Sequence, residues 1–320
     1  LGRGNQPYEI AKRLVAVDDR IYVTLGFDAP VTALDAATGE KVRTYEGTAG
    51  ADEILHCAGR LILAVKNRPG KPGRTEELVR EHVCALDSAT GEILWKRGNY
   101  VGLHANAGSG DGITCLRPFG HLELTAGDGQ VFLMDKDAIL CLDRDSGDKV
   151  WEKPRPDVPR EWVMHWSTRS KDTCRLAYAN GVLLLAQPEI QTFNPYDTIP
   201  GTLYACSAET GELLWKHLYG DWSHVDYQPD LFAIDGTVWV HKHLIDKNTR
   251  NYELLGLDLM SGQEERRFST RRAYDVGHHH RCYSNRSTTE YVLSSHRGVE
   301  FLDLDSGTNW LNHWVRGTCL

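Results

Sequence analysis

One short segment of the chain concentrates side chains that bind metals or transfer protons. His278, His279, His280, Arg281 and Cys282 follow one another, so five residues supply three imidazoles, a guanidinium and a thiol. Imidazole and thiolate are common ligands for zinc, copper and iron. Because alternate residues of a strand share a face, His278, His280 and Cys282 are expected to point the same way. The segment is therefore a candidate metal or ligand site.

A second thiol near the end of the sequence leaves three interpretations of this segment open. Cys319 lies in a stretch that reads as the start of a further strand, next to the strand expected to hold Cys282. The two cysteines could form a disulfide or a close thiol pair. Alternatively, His280, Cys282 and Cys319 could bind a metal ion together with one of the preceding histidines. The third interpretation is a plain polar lining of the channel. His278, His279, Arg281 and Arg316 are in any case candidates for the channel mouth, where a ligand could bind.

Two further places in the sequence put tryptophan beside histidine. His165 is followed directly by Trp166, and Trp222 stands two residues before His224. Both pairs lie in the connection between successive apolar segments, as the histidine-rich segment does. Two interpretations stay open: edge packing around a hydrogen-bonded imidazole, or an aromatic pocket with a polar rim that binds a small molecule or a glycan.

The elements that would position these residues repeat six times. Each copy is an apolar run, then Asp (Ser in the fourth copy), two further residues, Thr or Ser, and Gly, and the glycines recur every 45 to 64 residues. Asp and Thr can bond turn amides, and Gly accepts the positive φ that ends a three-residue hairpin loop. We assign a structural role to Asp35, Gly39, Asp87, Gly91, Trp95, Asp143, Gly147, Trp151, Gly211, Trp215, Asp258, Gly262, Asp305 and Gly307.

Each signature follows short β-rich runs that are bounded by Gly, Asp and Asn, so every copy predicts an antiparallel module of three or four strands. A first hairpin is expected to turn at dipeptides such as Ala58-Gly59 and Asn180-Gly181. Such modules bury their faces by stacking around an axis, which predicts an all-β, single-domain β-propeller over residues 1–320. The predicted repeats span residues 13–45, 54–95, 122–151, 174–215, 231–268 and 289–311.

Composition restricts the classes of function. The formal net charge of −8 disfavours a nucleic-acid surface. No stretch approaches 18 apolar residues, so no membrane span is predicted. The eight cysteines stand at least 26 residues apart, which excludes a C-x-x-C zinc or haem motif. Cys84, Cys141 and Cys206 lie inside signature strands and are expected to be small buried apolar residues.

The signature resembles the repeat of the pyrroloquinoline-quinone (PQQ)-type β-propellers. The clearest copies are residues 33–39 and 85–91, the second completed by Trp95, and the likeness covers essentially the whole chain. The resemblance implies four-stranded blades in which this Trp docks on the neighbouring blade. Arg43 and Arg266 stand at the Trp position of two copies, where looser or different packing is expected. Because such propellers have seven or eight blades, the resemblance also implies one or two blades outside this sequence.

The same resemblance divides the candidate functions. Quinoprotein dehydrogenases of the family bind PQQ with calcium at the channel, and they carry adjacent cysteines that this chain lacks. Other members, such as the outer-membrane-assembly propeller lipoproteins, keep the repeat without the cofactor and act as scaffolds. We predict a non-catalytic scaffold of a bacterial periplasmic or extracellular protein, a monomeric domain of a larger chain that binds a protein, small molecule or glycan at the channel mouth. The alternative is a PQQ- or metal-dependent oxidoreductase with its site at that mouth.

Overall fold

The fold consists of six antiparallel four-stranded sheets joined in series. In each sheet the four strands are hydrogen-bonded in chain order, so every sheet is an up-and-down meander. The predicted all-β propeller fold of four-stranded blades is thereby confirmed, and no helix occurs among the described residues. The computed structural model describes residues 14–26, 29–66, 81–100, 103–105, 119–135, 138–156, 174–188, 199–222, 231–246, 249–270, 285–294 and 299–312.

The chain divides into two compact units with three blades in each. The N-terminal unit is Pro7–Val158, and a two-stranded pair, β9 with β10, lies in the connection between its second and third blades. Its strands are β1 (Leu14–Val17), β2 (Arg20–Thr24), β3 (Val31–Asp35), β4 (Lys41–Thr44), β5 (Ala51–Cys57), β6 (Arg60–Lys66), β7 (Glu81–Asp87), β8 (Ile93–Tyr100), β9 (Leu103–Ala105), β10 (Phe119–His121), β11 (Glu123–Gly127), β12 (Gln130–Met134), β13 (Ala138–Asp143) and β14 (Lys149–Pro154).

The C-terminal unit comprises Pro159–Leu320 together with Leu1–Gln6, and it contains blades 4 to 6. The third strand of blade 4 has nine residues and the two central strands of blade 5 have ten each, more than any central strand of the other blades. The strands are β15 (Arg175–Ala179), β16 (Val182–Pro188), β17 (Ile199–Ser207), β18 (Leu213–Trp222), β19 (Leu231–Ile234), β20 (Thr237–Asp246), β21 (Thr249–Asp258), β22 (Glu264–Ser269), β23 (Arg286–Ser287), β24 (Tyr291–Ser294), β25 (Val299–Asp303) and β26 (Asn309–Asn312).

The hydrophobic core of each unit lies between successive blades. In blade 2, Leu61, Leu63 and Val65 belong to the cluster shared with blade 1. The alternating residues Ile62 and Ala64 belong to the cluster shared with blade 3. Side chains of a strand alternate between its faces, and both faces of this strand are covered. A strand buried on both faces must be apolar throughout, which explains the continuous apolar runs of the sequence.

The first hairpin of five blades turns through a residue with positive φ. The values lie between 44° and 51°. Four of the five residues are Asp or Asn, which tolerate the left-handed conformation because their short polar side chains bond the local backbone. In blade 2 the residue is alanine, and it is exposed. The five residues are Asp18, Ala58, Asp128, Asn180 and Asp235.

Replacing Ala58 with asparagine is expected to stabilise the protein. Alanine has no polar side chain that could bond the local backbone and offset the cost of the left-handed conformation. Ala58→Asn should therefore raise the free energy of unfolding by about 1 kcal/mol. Urea unfolding followed by far-UV circular dichroism measures the change. The mirror substitution, Asn180→Ala at the equivalent turn of blade 4, should lower the free energy by a similar amount. An unchanged or lower stability of Ala58→Asn would contradict the strain at this turn.

Candidate functional site

The signature turn is built around one aspartate oxygen. In blade 2, Oδ1 of Asp87 accepts hydrogen bonds from the amides of Ala89 (3.0 Å) and Thr90 (2.7 Å) and from the Thr90 hydroxyl (3.0 Å). Gly91 takes a φ of 80°, and its amide donates to the Asp87 carbonyl. The bonds from Thr90 hold the pKa of Asp87 below its usual value, because they favour the ionised form. Equivalent carboxylates accept turn amides in the other Asp-bearing copies: Asp35, Asp143, Asp258 and Asp303.

The sixth copy differs from the prediction in which aspartate forms this turn. Oδ1 of Asp303 accepts from the amides of Asp305 (2.9 Å) and Ser306 (2.7 Å). The predicted residue, Asp305, therefore contributes its main chain only, and its side chain is 97% exposed. The sixth copy has one aspartate four residues before Gly307 and another two residues before it. Only the earlier one can reach the amides of the following loop.

The fourth copy has serine in place of the signature aspartate, and the Ser207 hydroxyl accepts from the Thr210 amide (3.3 Å).

The residue after the signature aspartate joins neighbouring blades through its carbonyl oxygen. Nε1 of Trp95 in blade 2 donates to the carbonyl of Arg144 in blade 3 (2.7 Å). Nε1 of Trp215 in blade 4 donates to the carbonyl of Leu259 in blade 5 (3.0 Å). Arg144 follows Asp143 and Leu259 follows Asp258, so the acceptor occupies the same position in both blades. The two indoles thus dock on the turn of the next blade.

Blades 1 and 5 make the same joint with a different donor, because an arginine stands where blades 2 and 4 have Trp. In blade 1 the Tyr45 hydroxyl, two residues after Arg43, donates to the Ser88 carbonyl (2.5 Å). In blade 5 the guanidinium of Arg266 donates to the Leu304 carbonyl (2.8 Å). Phe268, two residues further on, supplies the ring that contacts the glycine of the next turn. The packing therefore differs as expected. In both blades the aromatic ring stands two residues further along the strand, on the same face as the arginine.

Trp151 is the third tryptophan at the signature position. Its ring lies 5.9 Å from that of Phe132, centroid to centroid, within blade 3. Its docking on a following blade stays a prediction.

The two ends of each blade differ in polarity. We call the end that carries the first hairpin and the signature turn the turn end, and the opposite end, where the longer connections join the strands, the loop end. Every buried polar or charged residue among those that the structure describes lies in a strand half near the loop end or in a connection there. They are Thr32, Thr48, Asp52, Glu53, Glu81, His82, Glu123, Arg155, Gln187, Thr202, Thr270, Asn285, Ser294 and Glu300.

Two buried glutamates at the loop end bond the backbone of the next blade. Oε2 of Glu53 accepts from the Leu124 amide and Oε2 of Glu81 accepts from the Leu122 amide, both at 3.2 Å. Both amides belong to the chain entering blade 3, at β11 and directly before it. Asp52, beside Glu53, pairs with Lys66 across β5 and β6 at 2.5 Å. The two buried glutamates therefore align the first strand of blade 3 against blade 2.

The buried His82 makes the stability of the protein depend on pH. Burial, reinforced by the positive charge of Lys96, lowers the pKa of His82 from 6.5 to about 4. Between these two values the unfolded chain binds a proton that the folded chain does not, so stability falls as the pH falls through this window. We expect a loss on the order of 2 kcal/mol between pH 6.5 and 4. His82→Gln should flatten the plot of unfolding free energy against pH in this window, whereas parallel plots would contradict the assignment.

The signature-strand cysteines are buried and form no disulfide. Burial raises the pKa of Cys84 and of Cys141 to about 12 and that of Cys206 to about 11. Their thiols therefore stay protonated at neutral pH, which suits apolar packing rather than nucleophilic or metal-binding chemistry.

The residues that the sequence offered for a site at the channel mouth lie almost entirely outside the described residues. Trp222 ends β18, and its strand pairing with Ile199 is described. The roles predicted for the remaining residues stay predictions: His165, Trp166, His224, His278, His279, His280, Arg281, Cys282, Arg316 and Cys319.

The buried glutamates were not predicted from the sequence. Glu53 and Glu81 each interrupt or begin an otherwise apolar strand, and that interruption was the available signal. A charged side chain inside such a strand is rarely buried without a partner. The partner amides at residues 122 and 124 lie 41 and 71 residues further along the chain, so the sequence pattern did not reveal them.

The family comparison agrees with this geometry. Residues 8–154 match a family model described as outer membrane protein assembly factor BamB. The matched span contains the three blades of the N-terminal unit, each with its hydrogen-bonded Asp-x-x-Thr/Ser-Gly turn. The N-terminal unit of this chain therefore matches the PQQ-like β-propeller family. None of the curated proteins matches the chain.

Solved structures similar to this chain include two dehydrogenases and a WD40 domain. A europium-containing methanol dehydrogenase is 15% identical with a TM-score of 0.44, and the match covers 80% of this chain and 50% of that one. The quinohemoprotein alcohol dehydrogenase of Comamonas testosteroni is 13% identical with a TM-score of 0.48, over 92% and 58%. The Pan2 WD40 domain of Neurospora crassa is 11% identical with a TM-score of 0.49, over 92% and 75%. The chain thus spans about half the length of the dehydrogenases.

The two buried glutamates at the loop end are already engaged within the protein. Calcium takes six to eight oxygen ligands. Glu53 and Glu81 each use a carboxylate oxygen to bind a main-chain amide. Within the described ranges no three His, Cys, Asp or Glu side chains are grouped to hold a metal ion. None of the described segments is a helix with the length and apolar character of a bilayer span.

Proposed function

We propose that this PQQ-like propeller is a non-catalytic scaffold that binds another polypeptide, in the periplasm or outside the cell. The observation that carries the proposal is how the buried titratable groups at the loop end are used. Glu53 and Glu81 bind the amides of the next blade, and Asp52 pairs with Lys66. The pKa of His82, lowered to about 4, keeps its ring neutral at pH 7. The two glutamates join blade 2 to blade 3, and the Asp52–Lys66 pair joins two strands of blade 2.

The family match supports the same proposal. The matching model is described as an assembly factor of the outer membrane. An assembly factor acts by holding other proteins, and a stack of rigid blades offers a large surface for that purpose. The sequence-based alternatives, a small-molecule or glycan ligand at the channel mouth, involve residues such as His165 and His278 that lie outside the described part of the chain.

A titration of the full chain with PQQ and calcium, followed by the absorbance of the quinone, tests the proposal. We expect no saturable change up to about 100 µM PQQ, an affinity range in which weak specific binding would already be detected. Calcium alone serves as the control. Saturable binding in the micromolar range would overturn the scaffold proposal and favour the alternative, a PQQ-dependent oxidoreductase, which a dye-linked assay with alcohols and sugars would then examine.

A further inference from the structure

Each blade has two faces, and in blade 2 both neighbours are described. Leu61 and Leu63 on β6 pack toward blade 1, and Ile62 and Ala64 pack toward blade 3. We call the first the backward face of a blade and the second its forward face. Because the side chains of a strand alternate between its faces, the position of a residue in its strand assigns it to the backward or forward face in the other blades too.

The backward face is buried in blades 2 to 6, and blade 1 is the exception. In blades 2 to 6 the residues that the second strand contributes to this face are at most 3% exposed: Leu61, Leu63, Val131, Leu133, Leu183, Leu185, Val238, Val240, Val292 and Ser294. The equivalent residues of blade 1, Ile21 and Val23, are only half-buried. Leu14, which pairs with Val23 from β1, is 61% exposed. The backward face of blade 1 is therefore incompletely covered.

The forward face is buried in blades 1 to 5, and blade 6 is the exception. In blades 1 to 5 the residues that the third strand contributes to this face are at most 3% exposed: Val31, Ala33, Val83, Ala85, Ile139, Cys141, Leu203, Ala205 and Leu254. The equivalent residues of blade 6, Val299 and Phe301, are only half-buried. Trp310, which pairs with Phe301 from β26, is 48% exposed. The forward face of blade 6 is therefore incompletely covered as well.

Trp310 occupies the position from which a tryptophan docks on the next blade. In blade 2 the docking residue Trp95 pairs with Ala85, two residues before the signature aspartate. In blade 6 Trp310 pairs with Phe301, which also stands two residues before its aspartate. The pairing in blade 2 contains a register shift, whereas the described pairing of β25 with β26 runs without one. Trp310 consequently stands one residue closer to its glycine and still reaches the docking position.

Three aromatic rings meet on the forward face of blade 6. The ring of Tyr291 lies 5.8 Å from that of Trp310 and 6.0 Å from that of Phe301, centroid to centroid, in edge-on geometry. None of the three side chains is fully buried. Exposed apolar surface of this kind marks an interaction site, and aromatic residues are enriched where proteins bind one another. The forward face of blade 6 is therefore a candidate interface.

The signature turn of blade 1 has room for the ring that other turns receive. An aromatic ring of the preceding blade lies against the Cβ position of Gly147, Gly262 and Gly307. No described atom lies within 4 Å of the Cβ position of Gly39, the equivalent glycine of blade 1. Ala36, whose carbonyl stands at the acceptor position of the joint, is exposed. Blade 1 thus presents the acceptor of the joint, and blade 6 presents the donor.

We propose that the chain binds a second copy of itself head to tail, with the forward face of blade 6 against the backward face of blade 1 of the second copy. Trp310 then covers Gly39 of the second copy, and its indole donates to the Ala36 carbonyl. This contact repeats the joint that Trp95 makes within the chain. A second copy is the partner because one chain carries both complementary surfaces. The inference does not depend on the partner polypeptide proposed above.

The two surfaces are different, so the interface is heterologous and every pair of copies keeps one free surface at each end. Association should therefore continue beyond the dimer. Sedimentation velocity of the full chain between about 1 and 200 µM measures this, a range that covers micromolar dissociation constants. We expect the mean sedimentation coefficient to rise with concentration and species larger than a dimer to form. A chain that stays monomeric throughout would overturn the inference.

A charge on the forward face of blade 6 should prevent the association. Trp310→Lys removes the aromatic anchor and is expected to weaken the self-association by at least about tenfold. The matched control is Leu94→Lys, which changes a leucine that is 37% exposed on the outer strand of blade 2 and belongs to neither surface. It should leave the association unchanged, and equal weakening by both variants would contradict the proposal. Far-UV circular dichroism verifies that each variant is folded.

Mixing two variants tests the head-to-tail arrangement. Leu14→Lys places a charge on the backward face of blade 1, and this variant alone should stay monomeric, as should Trp310→Lys. Each variant retains the surface that the other has lost, so an equimolar mixture should form a dimer that does not grow further. Association that survives Leu14→Lys would indicate that two blade 6 surfaces pair with each other, and would overturn the proposal. Because the quinone titration is a separate measurement, failure here leaves the scaffold proposal standing.

Discussion

Replacing Gly147 with alanine is expected to destabilise the N-terminal unit by about 2–5 kcal/mol, by two mechanisms that add. Gly147 has a φ of 73°, a conformation that costs an L-residue about 1–2 kcal/mol. A Cβ atom at this position would also lie 2.5 Å from Cδ2 of Trp95. The indole is 5% exposed and bonded to the Arg144 carbonyl, so it cannot move aside without losing that bond. Urea unfolding followed by circular dichroism measures the change.

Gly39 is the matched control for this substitution. It occupies the same position in the signature of blade 1, in the same unit, with a φ of 74°. No atom lies within 4 Å of the position that its Cβ would take. Gly39→Ala should therefore cost only the conformational part, about 1–2 kcal/mol. Equal losses for the two substitutions would show that the contact between Trp95 and Gly147 contributes nothing.

Removing the Trp95 side chain is the second substitution with a large expected effect. Trp95→Ala should lower the free energy of unfolding by about 3–5 kcal/mol, because it deletes a buried indole and leaves the Arg144 carbonyl without its donor. Trp95→Phe should cost less, since a ring remains and only the hydrogen bond is lost. The natural comparison is Trp310, also on an outer strand but 48% exposed. Trp310→Ala should cost less than about 1 kcal/mol.

A double substitution measures the coupling between the two positions. In the Trp95→Ala background the space beside Gly147 is empty, so adding Gly147→Ala should cost only the left-handed penalty of about 1–2 kcal/mol. The two single losses would then exceed the loss in the double variant. Strict additivity would mean that the strain at Gly147 does not come from the indole.

The local rules of the sequence were enough to predict the blades. Asp-x-x-Thr-Gly and dipeptides such as Asn180-Gly181 encode turns within a few residues, and the apolar runs between them follow from burial on both faces of a strand. The position of the inter-blade ring was harder to predict. Tyr45 and Phe268 stand two residues after the expected place, because the partner is a carbonyl or a glycine and neither specifies which side chain must arrive.

The candidate site was less accessible to sequence reasoning than the fold. Residue types that are common metal ligands, such as His280 and Cys282, stand out in a sequence by type alone. Glu53 and Glu81 act through amides of the next blade, and no local pattern announces that contact. That contact depends on residues that are distant in the chain.

The joint between blades has a consequence for how such proteins evolve. The hydrogen-bond acceptor is a main-chain carbonyl oxygen, which no substitution can delete. It belongs to Ser88, Arg144, Leu259 and Leu304. The donor side chain differs between blades: it is tyrosine, tryptophan or arginine, and each of them forms the hydrogen bond. A duplicated blade would arrive with both halves in place and would fit beside any existing blade. Gene duplication can therefore lengthen or shorten the array while each copy diverges freely in the residues that face a partner.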